Sequence, residues 1–360
     1  MTKEKLNIII IGCGNMGTSH ARAYHKLEGF NIVGLVDRNQ DNLDRLTDEM
    51  GTYPTFNDFD KALQETNPDA VCIATYPGTH AQFAVKALNA GAHVFVEKPI
   101  AETLEDANAI VDAAKRADRK VVVGYILRHH PGWKQFIEVA STLGKPLVMR
   151  MNLNQQSIGK EWKVHKSIME AMSPIVDCGV HYVDVMCQMT KANPVSVSAI
   201  GARLSDEIDP DQYNYGQLQV RFDDGSVGWY ESGWGPMISE QAYFVKDVMG
   251  PKGSVSISKN TFDLPRGSSS DIAEHTAVKQ LRVHYSELDD YGNLKHDDEL
   301  LNAPSEPGHD ELCYLEQEFF LKSILQDIDL SDHLREVVHT LKIVLASDES
   351  VKTGKTIELT

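Results

Sequence analysis

Several things are scarce in this 360-residue chain, and each scarcity excludes a class of protein. Cysteine is rare: Cys13, Cys72, Cys178, Cys187 and Cys313 are scattered, and no two form a Cys-x-x-Cys pair. An odd, dispersed set argues against a disulfide framework and against a zinc ribbon, and free thiols fit a reducing compartment. Positive charge is short as well, with 35 Lys and Arg against 52 Asp and Glu and a net charge of −17. A chain of that sign is repelled by phosphate backbones and anionic lipid, so neither nucleic acid nor membrane is an expected partner. Long apolar runs are missing too. The stretch ending at Ile8–Ile11 follows a short charged lead and is far shorter than a signal peptide or a membrane span. The expected address is the cytoplasm. There are no internal repeats and no low-complexity tracts.

What is present is an ordinary soluble balance, 42% hydrophobic and 24% charged, on a chain long enough for two domains. Short, β-branched, nearly continuous apolar runs stand at Leu6–Ile11, Ile32–Asp37, Ala70–Thr75, His93–Val96 and Val121–Gly124. Between them lie amphipathic stretches near 15–27, 39–50, 58–66, 79–90 and 102–117, the last opened by Thr103 or Glu102. This alternation predicts βαβ units and a doubly wound parallel sheet. Past Gly124 the pattern changes. A loop and one helix run to Gly144-Lys145-Pro146, and alternating strands follow at Leu147–Asn154, Val195–Ile200, Leu218–Phe222 and Val227–Trp234. Asp223-Asp224-Gly225-Ser226 reads as a hairpin turn. The expectation is an N-terminal Rossmann domain over 1–125. A C-terminal α+β domain over 126–360 would carry a large, open, mostly antiparallel sheet and few helices. Residues 264–308 are polar, with one strand expected at Leu281–Tyr285. Two helices close the chain, and Ser331 is the expected cap of the second. They are placed either with the second domain or back on the first.

Gly12-Cys13-Gly14-Asn15-Met16-Gly17 follows the first strand and precedes an amphipathic helix. In a Gly-x-Gly-x-x-Gly turn the first glycine permits the bend, the second admits a pyrophosphate and the third lets helix and strand pack closely. Helix N–H groups then hold the anion. Glycine-rich turns also occur for structural reasons alone, but here Asp37 ends the second strand twenty residues after Gly17. A carboxylate there would accept hydrogen bonds from ribose hydroxyls. Asp37 points to NAD. Arg38 leaves NADP open, its alternative being an ordinary exposed arginine.

His93-Val94-Phe95-Val96-Glu97-Lys98-Pro99 is more specific. A strand ending in Glu-Lys-Pro after such an array resembles the glucose–fructose oxidoreductase and inositol dehydrogenase family. The resemblance spans nearly the whole chain. It includes Ala74-Thr75 with His80, Gly124-Tyr125 with Arg128, Asp177-x-x-x-His181, and Lys352-Thr353-Gly354-Lys355. It implies a Rossmann domain followed by an α/β domain on an open sheet, paired into a homodimer or homotetramer. It also implies a reactive trio of Lys98, Asp177 and His181. The implied cofactor contacts are Thr75, Tyr76, His80, Glu97 and Lys98, beside the glycine loop with Asn15 and Met16, Glu97 positioning either the cofactor or the backbone. Many members carry Ala-Thr-Pro-Asn where this chain reads Ala74-Thr75-Tyr76-Pro77.

The chemistry agrees with those residue types. Oxidising a carbinol needs a base for the hydroxyl proton and a donor for the developing alkoxide. His181, near neutrality, is the candidate base, and Lys98 the donor. Asp177 stands four residues before His181, on one side of a helix, and Asp184 extends that side. Val176, Val180, Val183 and Cys187 form an apolar stripe that would anchor it. Arg128, Gln156, Trp162, Lys163, His165 and Asp184 are candidate contacts for a polyhydroxylated substrate, or else ordinary loop and surface residues. His129-His130 has no further ligands at a useful spacing, so no metal is expected. Three functions follow: a dehydrogenase acting on a sugar, cyclitol or related polyol, a redox-assisted hydrolase or epimerase that recycles its cofactor, and a non-catalytic NAD-binding sensor.

Overall fold

The computed structural model describes residues 5–239, 244–258 and 276–359. Two compact units are present, and they do not follow a single cut of the chain. Unit 1 comprises Met1–Ile126 with Gly308–Val338, and unit 2 comprises Leu127–Pro307 with His339–Thr360.

Unit 1 alternates strand and helix: β1 Leu6–Ile11, α1 Asn15–Lys26, β2 Phe30–Val36, α2 Gln40–Met50, β3 Thr55–Phe56, α3 Phe59–Thr66, β4 Ala70–Ile73, α4 His80–Asn89, β5 His93–Glu97, α5 Leu104–Ala117 and β6 Val121–Gly124. The six strands are parallel in the order β3-β2-β1-β4-β5-β6. This is the doubly wound dinucleotide-binding order, with its switch point between β1 and β4. Ile8–Ile11, Val71–Ile73 and Val94–Val96 are buried, as strands covered on both faces must be. Thr103, not Glu102, caps α5, its hydroxyl accepting the Asp106 N–H at 3.1 Å. The two-residue β3 was not expected, being too short to show a period.

Unit 2 holds α6 Pro131–Thr142, β7 Val148–Gln156, α7 Gly159–Met169, α8 Pro174–Asp177, α9 Gly179–Thr190, β8 Pro194–Ala202, β9 Tyr215–Phe222, β10 Val227–Gly235, β11 Lys246–Gly250, β12 Gly253–Ser258, β13 Gln280–Tyr285 and β14 Glu299–Asn302. The closing helices are α10 His309–Leu325 and α11 Ser331–Thr353, and β15 is Ile357–Glu358. Among the described residues nine strands form one sheet in the order β14-β13-β12-β11-β7-β10-β9-β8-β15, parallel only where β10 meets β7. Met149, Met151, Leu218, Val220, Gly228 and Tyr230 face inward, while Val148, Gln219, Arg221, Val227 and Ile200 lie exposed on the other face. More helix is present than the few expected: α6 and the helical segment with Asp177 and His181 stand where they were read, and α7, whose buried residues are Trp162 and Met169, was not read. The polar stretch after 264 contains β14 besides β13, and its part up to residue 275 lies outside the described residues.

One local detail corrects the sequence reading. Ser331 does not cap α11 but begins it; its N–H and hydroxyl donate to Asp329 Oδ1 at 2.9 and 2.6 Å. Asp177 ends α8 and His181 sits in the first turn of α9. Cys178 between them keeps helical angles (φ −92°, ψ −37°) and its N–H donates to the Pro174 carbonyl at 3.2 Å, so the backbone stays helical across the join as expected. Gly179 accounts for the close packing there. A Cβ on it would lie 2.9 Å from Tyr230 Cε1 of β10. We expect Gly179→Ala to lower the unfolding free energy by about 1–3 kcal/mol, the usual cost of an overpacked core site, measured by chemical denaturation.

Candidate active site

β1, β4 and β5 are neighbours and parallel, so their carboxyl ends open on one edge of the unit 1 sheet. That edge carries the Gly12–Gly17 turn, Ala74-Thr75 and Lys98. The three glycines answer three different needs. Gly12 has φ +87°, and a Cβ on it would stand 2.4 Å from the Ala74 carbonyl oxygen. A Cβ on Gly17 would stand 1.6 Å from the Gly12 oxygen, so α1 could not descend onto the turn. Around Gly14 nothing lies within 4 Å. A side chain would fill the space that a pyrophosphate needs, and the residues present therefore fit a dinucleotide. Asn15 is exposed, Met16 half-buried, and no side chain caps α1 or places an acid in its first turn among the described residues. The N–H groups at the helix start can thus receive an anion.

Asp37 follows β2 and is fixed by the turn it faces. Its Oδ2 accepts the Cys13 N–H at 2.7 Å and the Asn42 amide at 3.2 Å, and its Oδ1 accepts the Asn39 N–H at 2.8 Å. An ionised carboxylate has about four acceptor sites, so capacity for a ribose hydroxyl remains. Arg38 and Tyr76 are exposed. Thr75 is half-buried, its hydroxyl 2.7 Å from that of Thr79.

One expected cofactor contact is corrected, and Glu97, expected to position cofactor or backbone, is placed at the backbone. His80 is fully enclosed, with its ring nitrogens 2.9 Å from the Pro99 carbonyl oxygen and 3.0 Å from that of Thr75. It ties the loop after β4 to the loop after β5 and cannot touch a ligand. Burial lowers its pKa despite both carbonyls. Glu97 is also turned inward: Oε1 lies 2.5 Å from His20 Nε2, and Oε2 accepts the Lys98 N–H at 3.2 Å. Burial pushes the Glu97 carboxyl up, but the hydrogen bond and charge of His20 outweigh it and hold it below its ordinary value. Glu97 orients the backbone at Lys98, which is itself half-buried at the strand end. His20 escaped the sequence reading; its spacing of three from Gly17, on the helix face that meets the sheet, was the available signal.

In unit 2 the ends of β7 and β10 meet α7, α8 and α9. Gln155 Oε1 accepts Trp234 Nε1–H at 2.8 Å and the Cys178 thiol at 3.5 Å. The same thiol lies 3.6 Å from Asp177 Oδ2. His165 stacks on Trp234, centroids 4.3 Å apart and 12° between planes, while Trp162 is buried against Trp234 with Met169 and Ile208. Asp177 and His181 are half-buried, and the stripe of Val176, Val180, Val183 and Cys187 is buried. Asp177, Trp162 and His165 are therefore gathered as read, and Gln155, Cys178 and Trp234 join them unread. Gln156, next along β7, faces the opposite way, as successive strand residues do. The Gln156 amide donates instead to the Ile238 carbonyl at 2.9 Å. Lys163 is exposed on α7.

Arg128 and Asp184, both expected as substrate contacts, are engaged with one another. Arg128 Nε and an Nη donate to the two Asp184 oxygens at 2.8 and 2.5 Å, and Gln188 adds a third donor at 2.8 Å. Asp184 is fully buried, so it cannot receive a substrate hydroxyl. Burial raises its pKa and Arg128 opposes the rise. His129 and His130 are buried as well, and the His130 ring caps α6 by accepting the Gly132 N–H at 3.1 Å.

Residues 6–125 match the family model for the oxidoreductase family with an NAD-binding Rossmann fold, and residues 134–256 match the Gfo/Idh/MocA C-terminal domain. The chain belongs to the Gfo/Idh/MocA oxidoreductase family, and its first unit is an NAD-binding Rossmann fold. It is 29% identical over 213 residues to inositol 2-dehydrogenase of Serratia proteamaculans, covering 57% of this chain and 60% of that one. It is 26% identical over 286 residues to scyllo-inositol 2-dehydrogenase (NAD(+)) of Bacillus subtilis, covering 75% and 80%. The chain spans about 60% of the length of several curated relatives it matches. Its fold is that of scyllo-inositol dehydrogenase from Lactobacillus casei, solved with NAD(H) and scyllo-inositol: TM-score 0.76, 21% identity, 99% of each chain.

The glycines separate cofactor from fold. Gly14→Ala should weaken NAD binding about tenfold or more while leaving the unfolding midpoint unchanged; Gly17→Ala should cost more than about 3 kcal/mol of stability. Calorimetric titration beside thermal melts checks both. His129 generates a pH dependence. Burial, then the positive charges of Lys134 and Arg128, pushes its pKa down to about 3. The unfolded chain takes up that proton near pH 6.5 and the folded one does not. The stability is therefore fully present above that value and falls as pH drops towards 3, by about 2 kcal/mol at pH 5. Denaturation at pH 7 and pH 5 should show a smaller loss in His129→Gln than in the wild type.

Proposed function

We propose that the chain is an NAD-dependent oxidoreductase moving a hydride between nicotinamide and a hydroxyl-bearing carbon of a sugar, cyclitol or related polyol. The observation that carries this reading is the edge of the unit 1 sheet, where a turn kept open at Gly14 and a lysine close after β5 stand at the ends of strands two apart. The relatives named inositol dehydrogenases support the substrate class. Bound NAD supplies the hydride chemistry. The chain supplies the rest. Lys98 donates to the substrate oxygen, held in place through its own N–H by Glu97. His181 accepts the hydroxyl proton, and Asp177 holds that imidazole in orientation. Asp37 selects NAD, because its fixed carboxylate repels a 2′-phosphate. Gln155, Asp177 and Cys178 offer the polar groups for a polyol, walled by His165 and the buried Trp162 and Trp234. The Arg128–Asp184 pair positions α9 and does not bind substrate.

Two further parts of the proposal concern the surroundings. The exposed face of the nine-stranded sheet carries Val148, Val227 and Ile200, which favours pairing with a second copy into a dimer or tetramer. Five free cysteines favour the cytoplasm, and no helix among the described residues is long and apolar enough to cross a membrane.

A panel of cyclitols and sugars with NAD and NADP, read at the reduced-nicotinamide band, tests the activity. Against the substrate found, Lys98→Ala and His181→Ala should each lower kcat by at least about a hundredfold with NAD affinity nearly unchanged. Asp37→Ala should weaken NAD and improve NADP relative to it. Full activity in Lys98→Ala would sink this mechanism. Turnover without net reduction would favour the redox-assisted hydrolase or epimerase, and tight NAD binding with no turnover on any polyol the sensor.

A further inference from the structure

Behind the Glu97 end of β5 lies a buried polar cluster that the proposed reaction does not use. It is built by α1 and α10, whose sequences stand almost three hundred residues apart, and all of it belongs to unit 1. His20 is fully buried, as is Cys313, and Glu316 is 1% exposed. The Nδ1 or Nε2 of His20, the Cys313 sulfur and a Glu316 oxygen lie within 4.8 Å of one another. Glu316 Oε1 is buried with no hydrogen-bond partner among the described residues. A buried carboxyl oxygen left so costs stability and calls for an occupant.

We propose that His20, Cys313 and Glu316 form a binding site for a borderline-soft divalent cation, zinc, inside the Rossmann unit. The ligand set is one that zinc accepts: imidazole nitrogen, thiolate and carboxylate. The outer shell is built as well. Glu97 Oε1 lies 2.5 Å from His20 Nε2, which fits a proton on Nε2 and leaves the Nδ1 lone pair as the nitrogen available to an ion. The carboxylate–histidine–metal arrangement has this form. Gln317 Nε2, 3.0 Å from His20 Nδ1, occupies the ion's place at that nitrogen. Its other end accepts the Tyr24 hydroxyl. Binding turns the Gln317 amide aside and draws the three ligands together by about 1 Å, since bonds of about 2.0–2.3 Å put zinc ligands about 3.5 Å apart. The Cys313 thiol and the Glu316 acid each release one proton, so two protons leave per ion and its double charge offsets the two anions formed. His309, 3.9 Å from the Cys313 sulfur and half-buried, lies at the outer side of the site. The sequence reading expected no metal because it judged ligands by nearness along the chain. These come from residues 20, 313 and 316.

The test uses the whole chain, reduced and stripped with a chelator, and does not depend on the oxidoreductase reading. Cobalt(II) is added first and zinc then competes. One equivalent of cobalt should give a thiolate-to-metal charge-transfer band that zinc removes, and zinc should raise the unfolding midpoint. Cys313→Ala should abolish the band, Glu316→Gln should weaken zinc about tenfold or more, and Cys178→Ser should change neither. Circular dichroism establishes that each variant is folded, and Glu316→Gln carries the decision if Cys313→Ala is not. Absence of the band in the wild-type chain, its survival in Cys313→Ala, or its loss in Cys178→Ser would each overturn the site.

Discussion

The close descent of α1 onto the end of β1 is the constraint from which the first unit follows. It is possible only because Gly17 has no Cβ to meet the Gly12 oxygen, and Gly12 none to meet Ala74. Once α1 is down, one helix face turns inward: Gly17, His20 and Tyr24, at i, i+3 and i+7, are all buried. The other consequence is at the turn itself. Asp37 and Arg45 can clasp it, Asp37 at the Cys13 N–H and Arg45 at the Cys13 carbonyl, 3.1 Å away. A single packing contact therefore sets the anion-binding turn and the ribose acid. Through His20 and Glu97 it also sets the backbone at Lys98.

The second unit meets a different need, that of fixing the helical segment that carries Asp177 and His181. α8 and α9 join at Cys178, whose backbone stays helical. Each half is tied to another part of the unit. Ser173 caps α8 by accepting the Val176 N–H at 3.2 Å, and its own hydroxyl donates to Asp348 Oδ1 at 2.7 Å, an oxygen shared with Tyr213. α9 is pinned by Asp184 to Arg128 and pressed on Tyr230 at Gly179. Burying Asp184 is costly, and its bidentate partner with Gln188 compensates it, which is why removing either partner leaves an uncompensated charge.

Much of the fold was legible. Buried parallel strands write themselves as continuous apolar runs, and the glycine turn with Asp37 reads locally because its parts are close in sequence. In unit 2, α6 and the segment with the Val176, Val180, Val183 and Cys187 stripe were legible, while α7 was not, because it buries only Trp162 and Met169. The site was legible in proportion to sequence distance. Lys98, Asp177 and His181 sit in short motifs. Gln155, which joins Cys178 and Trp234, lies one position from the residue read, and in a strand one position is the opposite face. Arg128 and Asp184 were read as reaching for a substrate because 56 residues separate them and nothing local says that each is the other's partner.

His20 and Glu97 link the Lys98 end of β5 to the buried cluster on α10. A glutamate at the end of a buried strand has to be paired, and the pairing histidine must come from the helix that crosses it. That places one imidazole between a backbone it orients, at Lys98, and a cluster from α10 that holds a second carboxyl and a thiol. Two carboxyls cannot both ionise beside a single imidazole. Glu97 takes the charge, held low by His20, while burial first and then the charge of Glu97 raise Glu316 well above its ordinary value. A cation at the cluster would reverse that assignment for Glu316 while Glu97 keeps its contact with His20 Nε2 and its bond from the Lys98 N–H. The backbone at Lys98 can therefore stay fixed whether the cluster is protonated or metal-bound.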